Sequence, residues 1–468
     1  PVEPPIGKES LYATQFKNLP IGQMEEKFAD YGEVQIKQLN DRSKMYYTPN
    51  KENNVFQLVV QYGAGEREFP KLGYAAQLMN NAGIMGAYEP QELKEELSKL
   101  NATCHVTADD DNLYIIMEGY EATLPQACQL LSRQILMPKL DEKQLARLKG
   151  SAMGMRQQRK DNVSILNEAL RQYMLYGEKS DYIKELTDKE IYELQISELT
   201  GDINRASNYE AKVFFTGTLP FDQVYDILSK NLPLVANERP SNSPQAKEMM
   251  PVTENTVYFL PNNDAEQAQI HLYIPMQKAD KKDDVLRSAF NQYFGLDFTG
   301  IVLNEIREKR SMAYTAYAFV GTQGIAGKAS YLRGYIGTQN DKANDALDVL
   351  MGLVNDMPKN PERIDNIKSY LRQAMLTSHP SFRNKAMELV DLGYRGYTDD
   401  PAKENLPKVD ALTFDDIVKF YEENIKGKPY CISIMGNPKD IDLKRLEKFG
   451  KVVKLNERKL FNTKDALF

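Results

Sequence analysis

The chain has 468 residues, which is too long for a single hydrophobic core and predicts two or more domains. Its hydrophobic fraction of 42% and charged fraction of 27% are ordinary for a globular protein, and its net charge of −7 argues against a nucleic-acid-binding surface. No apolar run approaches the roughly 18 residues that a membrane-spanning helix needs, so no membrane span is predicted.

Two proline-rich segments divide the chain. Residues 1–30 are predicted to form an extended N-terminal arm or linker, because prolines stand at positions 1, 4, 5 and 20. Residues 237–256, NERPSNSPQAKEMMPVTENT, are rich in Pro, Ser and Asn and are predicted to link two domains. The first domain is therefore expected at 31–236 and the second at 257–468.

The two expected domains share sequence patterns about 220 residues apart, which indicates a duplication. The matching pairs, in the same order in both halves, are QILMPKLDEKQLARLK (134–149) with VNDMPKNPERIDNIK (354–368), LTDKEI (186–191) with LTFDDI (412–417), and AKVFFTG (211–217) with YCISIMG (430–436). The first pair predicts two helices joined through Met-Pro-Lys. The second predicts a helix capped by Thr, and the third a strand that ends at Gly.

Strand-like runs open each domain, at 55–65 and within 257–276, and helical hairpins and a closing strand–helix unit follow. This order predicts the α+β class. We expect two tandem homologous domains, each a mainly antiparallel sheet with helices packed on one face.

The segment IVLNEIREKRSMAYTAY, residues 301–317, carries the strongest candidates for a functional site. Its first part has a helical apolar face and carries Arg307, and its second part alternates as a strand does and carries Tyr314. An Arg that ends a helix and a Tyr that begins the next strand can point into one cleft. A forked cation and a phenol donor suit a peptide carbonyl or a carboxylate. The alternative is an Arg on a solvated helix and a Tyr packed in its strand.

The order of elements resembles the M16 family of zinc metallopeptidases, the insulinase–pitrilysin group. LNEIREKRSMAYTAYA (303–318) and LTFDDIVKFYEENIKGKPYCISIMGNP (412–438) carry the resemblance, which covers nearly the whole chain from about Gly32. It implies domains arranged as a clam-shell around a closed chamber, with zinc held by a His-x-x-Glu-His motif. It also implies that Arg307 and Tyr314 are catalytic residues that face the substrate and stabilise its transition state at the zinc site of another domain.

This chain departs from the family at the zinc motif. Ala76, Met79 and Asn80 stand where His, Glu and His are expected, and none of them suits zinc binding or water activation. The corresponding segment of the second half, DDVLRSAFNQYFG (283–295), also lacks His. We therefore expect no metal and no cofactor in this chain, and zinc in a catalytic partner half.

The remaining titratable residues add no further site. The three histidines, His105, His271 and His379, are too far apart in sequence to share a helix face, and His271 is predicted to be a satisfied strand residue. The three cysteines are likewise separated, so neither a disulfide framework nor a Cys-x-x-Cys metal site is implied. YRGY, residues 394–397, predicts a helix C-terminal cap with exposed aromatic side chains.

The resemblance thus implies the substrate-binding, non-catalytic half of an M16 peptidase that hydrolyses peptides. The C-terminal half of a four-domain single chain is favoured, because the proline-rich start resembles a linker that joins two halves. Alone the chain is not expected to be an enzyme, whereas joined to a catalytic half it forms part of a zinc metalloendopeptidase. Its expected partners are a peptide substrate and that catalytic half, located upstream in the same chain or in a separate subunit. A separate inactive subunit and a retired peptidase fold that acts as a scaffold remain alternatives. For a bacterial chain, the periplasm or cell envelope is favoured over the cytoplasm.

Overall fold

Two six-stranded sheets, one in each half of the chain, organise the fold in the computed structural model, which describes residues 11–17, 19, 25–235, 238–296 and 298–464. The strands of the first half are β1 Gln35–Gln38, β2 Lys44–Pro49, β3 Val55–Tyr62, β4 Gly83–Ile84, β5 Ala102–Ala108, β6 Leu113–Tyr120, β7 Pro138–Lys139 and β8 Ala211–Gly217. Those of the second half are β9 Thr256–Pro261, β10 Gln267–Lys278, β11 Ala313–Thr322, β12 Ala329–Gln339, β13 Cys431–Gly436 and β14 Lys451–Lys454.

Helices occupy most of the intervening chain. Up to the end of the first half they are α1 Leu11–Lys17, α2 Leu72–Met79, α3 Pro90–Lys99, α4 Leu124–Leu136, α5 Glu142–Gln157, α6 Val163–Tyr176, α7 Asp181–Lys184, α8 Asp188–Tyr192, α9 Ile196–Ala206 and α10 Phe221–Asn231. In the second half they are α11 Asp284–Phe294, α12 Ile301–Leu303, α13 Ala343–Asn355, α14 Ile364–Thr377, α15 Lys385–Tyr394, α16 Pro401–Ala411, α17 Phe414–Asn424 and α18 Leu443–Leu446.

The N-terminal arm differs from the expected extended segment over the residues that are described. Helix α1 occupies Leu11–Lys17, where LYATQFK contains no proline or glycine to oppose helical dihedrals. The proline positions 1, 4, 5 and 20, on which that expectation rested, lie outside the described residues.

The two sheets have the same topology, which confirms the tandem fold. The strand order is β1-β2-β8-β3-β6-β5 in the first half and β14-β9-β13-β10-β12-β11 in the second. In both, a strand that precedes most of the helices of its half runs parallel to a strand that follows most of them, as β2 does to β8 and β9 to β13. The other central pairs are antiparallel. The halves differ at one edge, because β1 is antiparallel to β2 whereas β14 is parallel to β9.

Two of the repeated sequence patterns form the same local structures in both halves. Thr187 caps α8 and Thr413 caps α17, each in a reciprocal capping box with the acidic residue three positions on. The closing strands β8 and β13 end at Gly217 and Gly436. The hydroxyl of Tyr293 donates a 2.6 Å hydrogen bond to the carbonyl of Pro358, which fixes the second Met-Pro-Lys turn.

The halves exchange one helix each, a feature that the sequence patterns did not predict. Helix α6 of the first half packs Leu166 and Leu170 against Leu260 and Met435, on the outer face of the second sheet. Helix α15 of the second half covers the outer face of the first sheet through Ala386 and its neighbours. Each sheet therefore has its own helices on one face and a helix of the other half on the opposite face.

The segment between the halves, described from residue 238, is hydrogen-bonded along the first half. The carboxylate of Glu238 accepts hydrogen bonds from Ser43, at 2.6 and 2.7 Å. The backbone N–H of Asn242 donates to Gly63 at 2.7 Å, and that of Met250 donates to Leu175 at the same distance. These contacts hold the connection against the first half without a helix or strand in its described part.

His271 lies where α6 meets the second sheet. Its Nε2 is 3.1 Å from Oδ1 of Asn167, an arrangement in which the ring N–H donates to the amide oxygen. Nδ1 is buried without a partner in the described part of the chain, so His271 is half-satisfied and not fully satisfied as expected. Burial, with the charges of Arg333 and Arg171, lowers the pKa of His271 to about 3.

His271 should make the free energy of unfolding depend on pH. The pKa of His271 is lower in the folded chain than in the unfolded chain. Below about pH 6.5, the unfolded chain therefore binds a proton at His271 that the folded chain does not bind. Between that pH and about 3, this residue should lower the free energy of unfolding by about 1.4 kcal/mol per pH unit. Urea unfolding at several pH values measures this effect. The free energy of unfolding should change less steeply with pH for His271→Gln than for the unmodified chain. Equal pH dependence for His271→Gln and the unmodified chain would contradict the prediction.

Candidate functional site

Arg307 lies on a turn that the sequence did not predict. After the single turn of α12, residues Asn304–Glu308 form a π-helical turn, so the expected longer amphipathic helix is interrupted. Its apolar side chains Ile301, Val302 and Ile306 are buried in the second half's core and anchor the turn. The chain then reverses through Ser311, whose φ of 49° lies in the left-handed region, and enters β11.

Tyr314 lies at the beginning of β11, which is an edge strand of the second sheet. The register shifts between Ala313 and Thr315, so Tyr314 lies in a β-bulge. Its side chain is 77% exposed, which contradicts the alternative of a Tyr packed into the sheet. The bulge thus directs a phenol away from the core and leaves its hydroxyl accessible.

The two residues are in contact. The Arg307 guanidinium carbon lies 4.8 Å from the centre of the Tyr314 ring and 6.0 Å from that of Phe298, which is also 77% exposed. Both distances are in the range of cation–π attraction. Arg307 also approaches Glu308 at 3.4 Å and keeps 32% of its side chain exposed. The structure therefore brings Arg307 and Tyr314 together on one surface.

A separate set of ion pairs stabilises the turn. Glu305 binds Lys309 at 2.6 Å and Arg310 at 2.5 Å. Burial acts to raise the pKa of Glu305, but the hydrogen bonds from these two cations outweigh it and lower the pKa. The hydroxyl of Thr338 donates to the carbonyl of Met312 at 2.5 Å. These groups hold the turn without the Arg307 side chain, which contacts Glu308 and the two aromatic rings.

The residues at the place where the zinc motif was expected are part of the packing in the first half. Ala76 and Met79 are buried in the core. Asn80 binds the edge strand β5 through both ends of its amide: Oδ1 accepts from the N–H of Val106 at 2.8 Å, and Nδ2 donates to its carbonyl at 2.9 Å. Across the described ranges, no group of three His, Cys, Asp or Glu side chains is placed to hold a metal ion.

The second half repeats this arrangement. Asn291 on α11 accepts from the N–H of Val320 at 2.6 Å and donates to its carbonyl at 2.9 Å. Since α11 follows the opening strands as α2 does, and β11 is the edge strand as β5 is, Asn291 is the structural equivalent of Asn80. In both halves the amide at this position binds the backbone of one edge-strand residue, a role that was not predicted from the sequence.

The cysteines and the YRGY segment also have defined places. All three cysteines are free, and burial raises the pKa of Cys128 to about 12 and of Cys431 to about 11, which suits packing and not nucleophilic attack. Helix α15 ends at Tyr394 and Gly396 has a φ of 90°, as a C-terminal cap requires. The expected exposure was wrong for Tyr397, which is buried and donates to Asp284 at 2.8 Å.

Comparison with known proteins agrees with this fold. Residues 207–371 match the family model described as the peptidase M16 inactive domain, a range that contains both Arg307 and Tyr314. No curated protein matches the chain. None of the described helices is long and apolar enough to cross a membrane.

Several solved structures share the fold at low sequence identity. The peptidase M16 inactive domain of Pseudomonas fluorescens superposes with a TM-score of 0.67 at 17% identity, over 87% of this chain and 99% of that one. The ferredoxin protease FusC, solved in complex with Arabidopsis ferredoxin, gives 0.66 at 12% identity, over 91% of this chain and 49% of that one. The periplasmic protease PqqL of Escherichia coli gives 0.64 at 12%, over 91% and 50%. This chain thus spans about half the length of FusC and PqqL.

A sheet topology that occurs twice, with an amide that binds the edge strand in each half, defines a duplicated α+β protein with the fold of these M16 structures. Residues 207–371 belong to the peptidase M16 inactive-domain family, and the sequence contains no His-x-x-Glu-His motif.

Proposed function

We propose that this chain is the substrate-binding half of an M16-type zinc metallopeptidase, which encloses a peptide in a chamber between two halves. The observation that carries the proposal is the contact between Arg307 and the exposed Tyr314, on a turn that ion pairs stabilise, in a chain without the His-x-x-Glu-His motif. A phenol donor and a forked cation suit a peptide carbonyl and its neighbouring backbone. They supply no nucleophile, so the attacking water must come from a partner half.

Arg307 and Tyr314 would act on a peptide carbonyl that is attacked in the partner. As the carbonyl oxygen becomes negative, the Tyr314 hydroxyl donates a hydrogen bond to it or to the adjacent backbone. Arg307 holds the substrate chain beside it through its planar donors. Zinc, which the partner half would bind, supplies the activated water.

The catalytic half could belong to the same polypeptide or to a separate subunit. The twofold length of FusC and PqqL supports a single chain of two halves, whereas the Pseudomonas fluorescens domain, of which 99% is covered, supports a separate subunit. A His-x-x-Glu-His segment upstream in the same reading frame would show that both halves belong to one polypeptide. Such a segment in a neighbouring gene would favour a separate catalytic subunit. If neither exists, the scaffold alternative is favoured. PqqL is a periplasmic protein, which supports an envelope location for a bacterial chain.

The isolated chain should neither bind stoichiometric zinc nor cleave peptides. A catalytic zinc needs about three protein ligands and an open water position, and the place of the motif holds Ala76, Met79 and Asn80. Metal analysis after dialysis and a fluorogenic peptide assay test this expectation. One tightly held zinc per chain, or turnover that a chelator abolishes, would show that the chain has a catalytic site of its own.

Adding the catalytic half tests the proposed function itself. Once that half is identified, a mixture or fusion of the two should cleave a peptide that neither cleaves at the same rate alone. A complex that forms without any gain in peptide cleavage would favour the scaffold alternative.

A further inference from the structure

The second half has a cavity beside the position that corresponds to the first zinc ligand. Asn291 is equivalent to Asn80 through their shared bonds to the edge strands, so the residue one helical turn earlier, Arg287, is equivalent to Ala76. Where the first half places a methyl group in its core, the second half has a guanidinium beside a cavity of about 320 Å³.

Arg287 is poorly compensated for a buried cation. Its side chain is 15% exposed, and within the described residues Asp284 is the one carboxylate at ion-pair distance. Asp284 is shared, because Arg395 approaches it at 3.4 Å and the Tyr397 hydroxyl donates to it at 2.8 Å. Burial lowers the pKa of Arg287, although nearby acids such as Asp283 oppose this shift. Two guanidinium groups thus share a single carboxylate.

The side chains that line the cavity indicate which kind of ligand it would bind. Three charged side chains line it, Arg287, Arg395 and Asp284, and their formal charges leave one net positive charge. The polar members of the wall are Ser288, Thr322 and Asn405, and the apolar ones are Val320, Met375, Pro401 and Ala402.

The charged groups next to this cavity have other contacts, and the buried carboxylate of Asp400 accepts from the backbone N–H groups of Ala29 and Ala402. Lys281 is paired with Glu404 at 2.9 Å. Asp283 faces a neighbouring cavity on the other side of Arg287, which it lines together with Lys278 and Lys282. Among the side chains that line the cavity, one carboxylate faces two guanidinium groups. Guanidinium donors match a further carboxylate in a two-pronged geometry.

We propose that this cavity is a binding site for a carboxylate, carried by the end of a peptide or by a small organic acid, with Arg287 and Arg395 as its donors. A peptide cannot add to β11 as a further strand at Val320, because Asn291 already occupies the backbone N–H and carbonyl there. The ligand therefore enters end-on, with its carboxylate against the two arginines and its apolar part against Val320 and Met375.

Titration calorimetry of the chain as it stands tests the proposal and needs no catalytic half, so its outcome is independent of the proposed function. The probes are acetate, N-acetyl-trialanine as the free acid, the same peptide as the C-terminal amide, and inorganic phosphate. The free acid should bind saturably and the amide roughly tenfold or more weakly, because the amide loses a charge-assisted hydrogen bond. If acetate binds as well as the peptide acid, the ligand is a small organic acid. Equal binding of acid and amide, a preference for phosphate, or no saturable binding would overturn the proposal.

Variants locate the site. Arg287→Gln and Arg395→Gln should each weaken binding of the peptide acid by roughly ten- to a hundredfold. Arg372→Gln is the matched control, because Arg372 is paired with Asp410 on the outside of α14 and should leave binding unchanged. Circular dichroism checks that each variant is folded. If Arg287→Gln fails to fold, Arg395→Gln and the comparison of acid with amide still test the site, and unchanged binding in Arg395→Gln would overturn it.

Discussion

Tyr314→Phe should lower the turnover of the assembled peptidase by roughly a hundredfold, because one preorganised donor to a developing oxyanion contributes about 3 kcal/mol. The change removes one hydroxyl from a side chain that is 77% exposed, so the folded chain should keep its stability. Steady-state cleavage of a fluorogenic peptide, with the catalytic half present, measures the effect. Tyr370→Phe is the matched control, since Tyr370 is also exposed but lies on α14, away from the π-helical turn.

Arg307 should affect both substrate binding and turnover. Arg307→Ala removes the cation above the Tyr314 ring as well as the donors that would hold the substrate chain. Arg307→Lys should restore only part of the activity, because an ammonium keeps the charge but lacks the planar fork. A rise in KM together with a fall in kcat would indicate that Arg307 binds the ground state and the transition state.

The control for both positions is a measurement of whether each variant is folded and how stable it is. If Tyr314→Phe and Arg307→Ala are folded and nearly as active as the unmodified chain, the pair is a surface feature without a role in catalysis. A loss of activity that accompanies a lower melting temperature would instead show that Arg307 and Tyr314 stabilise the turn.

Leu170→Ala should uncouple the two halves and destabilise the chain by about 2–5 kcal/mol. Leu170 belongs to α6 in the first half but is buried against Leu260 and Met435 of the second, so its truncation leaves a cavity in the contact between halves. Urea unfolding followed by circular dichroism should change from one transition to two, because the exchanged helix no longer couples the sheets as strongly.

Leu131→Ala is the matched control for this interface. Leu131 is equally buried but lies on α4 within the core of the first half. It should lower stability by a similar amount while the halves still unfold together. If Leu170→Ala and Leu131→Ala give the same single transition, α6 does not couple the halves as described.

Local patterns in the sequence predicted most of the fold. The capping boxes at Thr187 and Thr413 and the strands that end at Gly217 and Gly436 depend on neighbours a few residues away, so they could be predicted from the sequence. Because the same local signals occur twice in one order, the tandem α+β architecture followed from them.

The exchange of α6 and α15 could not be predicted in that way. An amphipathic helix has an apolar face, but that face does not specify which of two apolar sheets it will cover. Leu166 and Leu170 would suit either sheet by their spacing, and only the path of the chain through space places them on the second. The environment of His271 follows from the same contact.

In the same way, some features of the candidate site could be predicted from the sequence and others could not. Residue identity and spacing are enough to place Arg307 and Tyr314 on adjacent elements, and to show that Ala76, Met79 and Asn80 lack the side chains of a zinc site. Three further features could not be predicted from them: the bulge that turns Tyr314 outward, the bonds of Asn80 and Asn291 to the sheet edges, and the cavity beside Arg287. Each of these depends on contacts between segments distant in sequence, and such contacts form only when the sheets and helices pack.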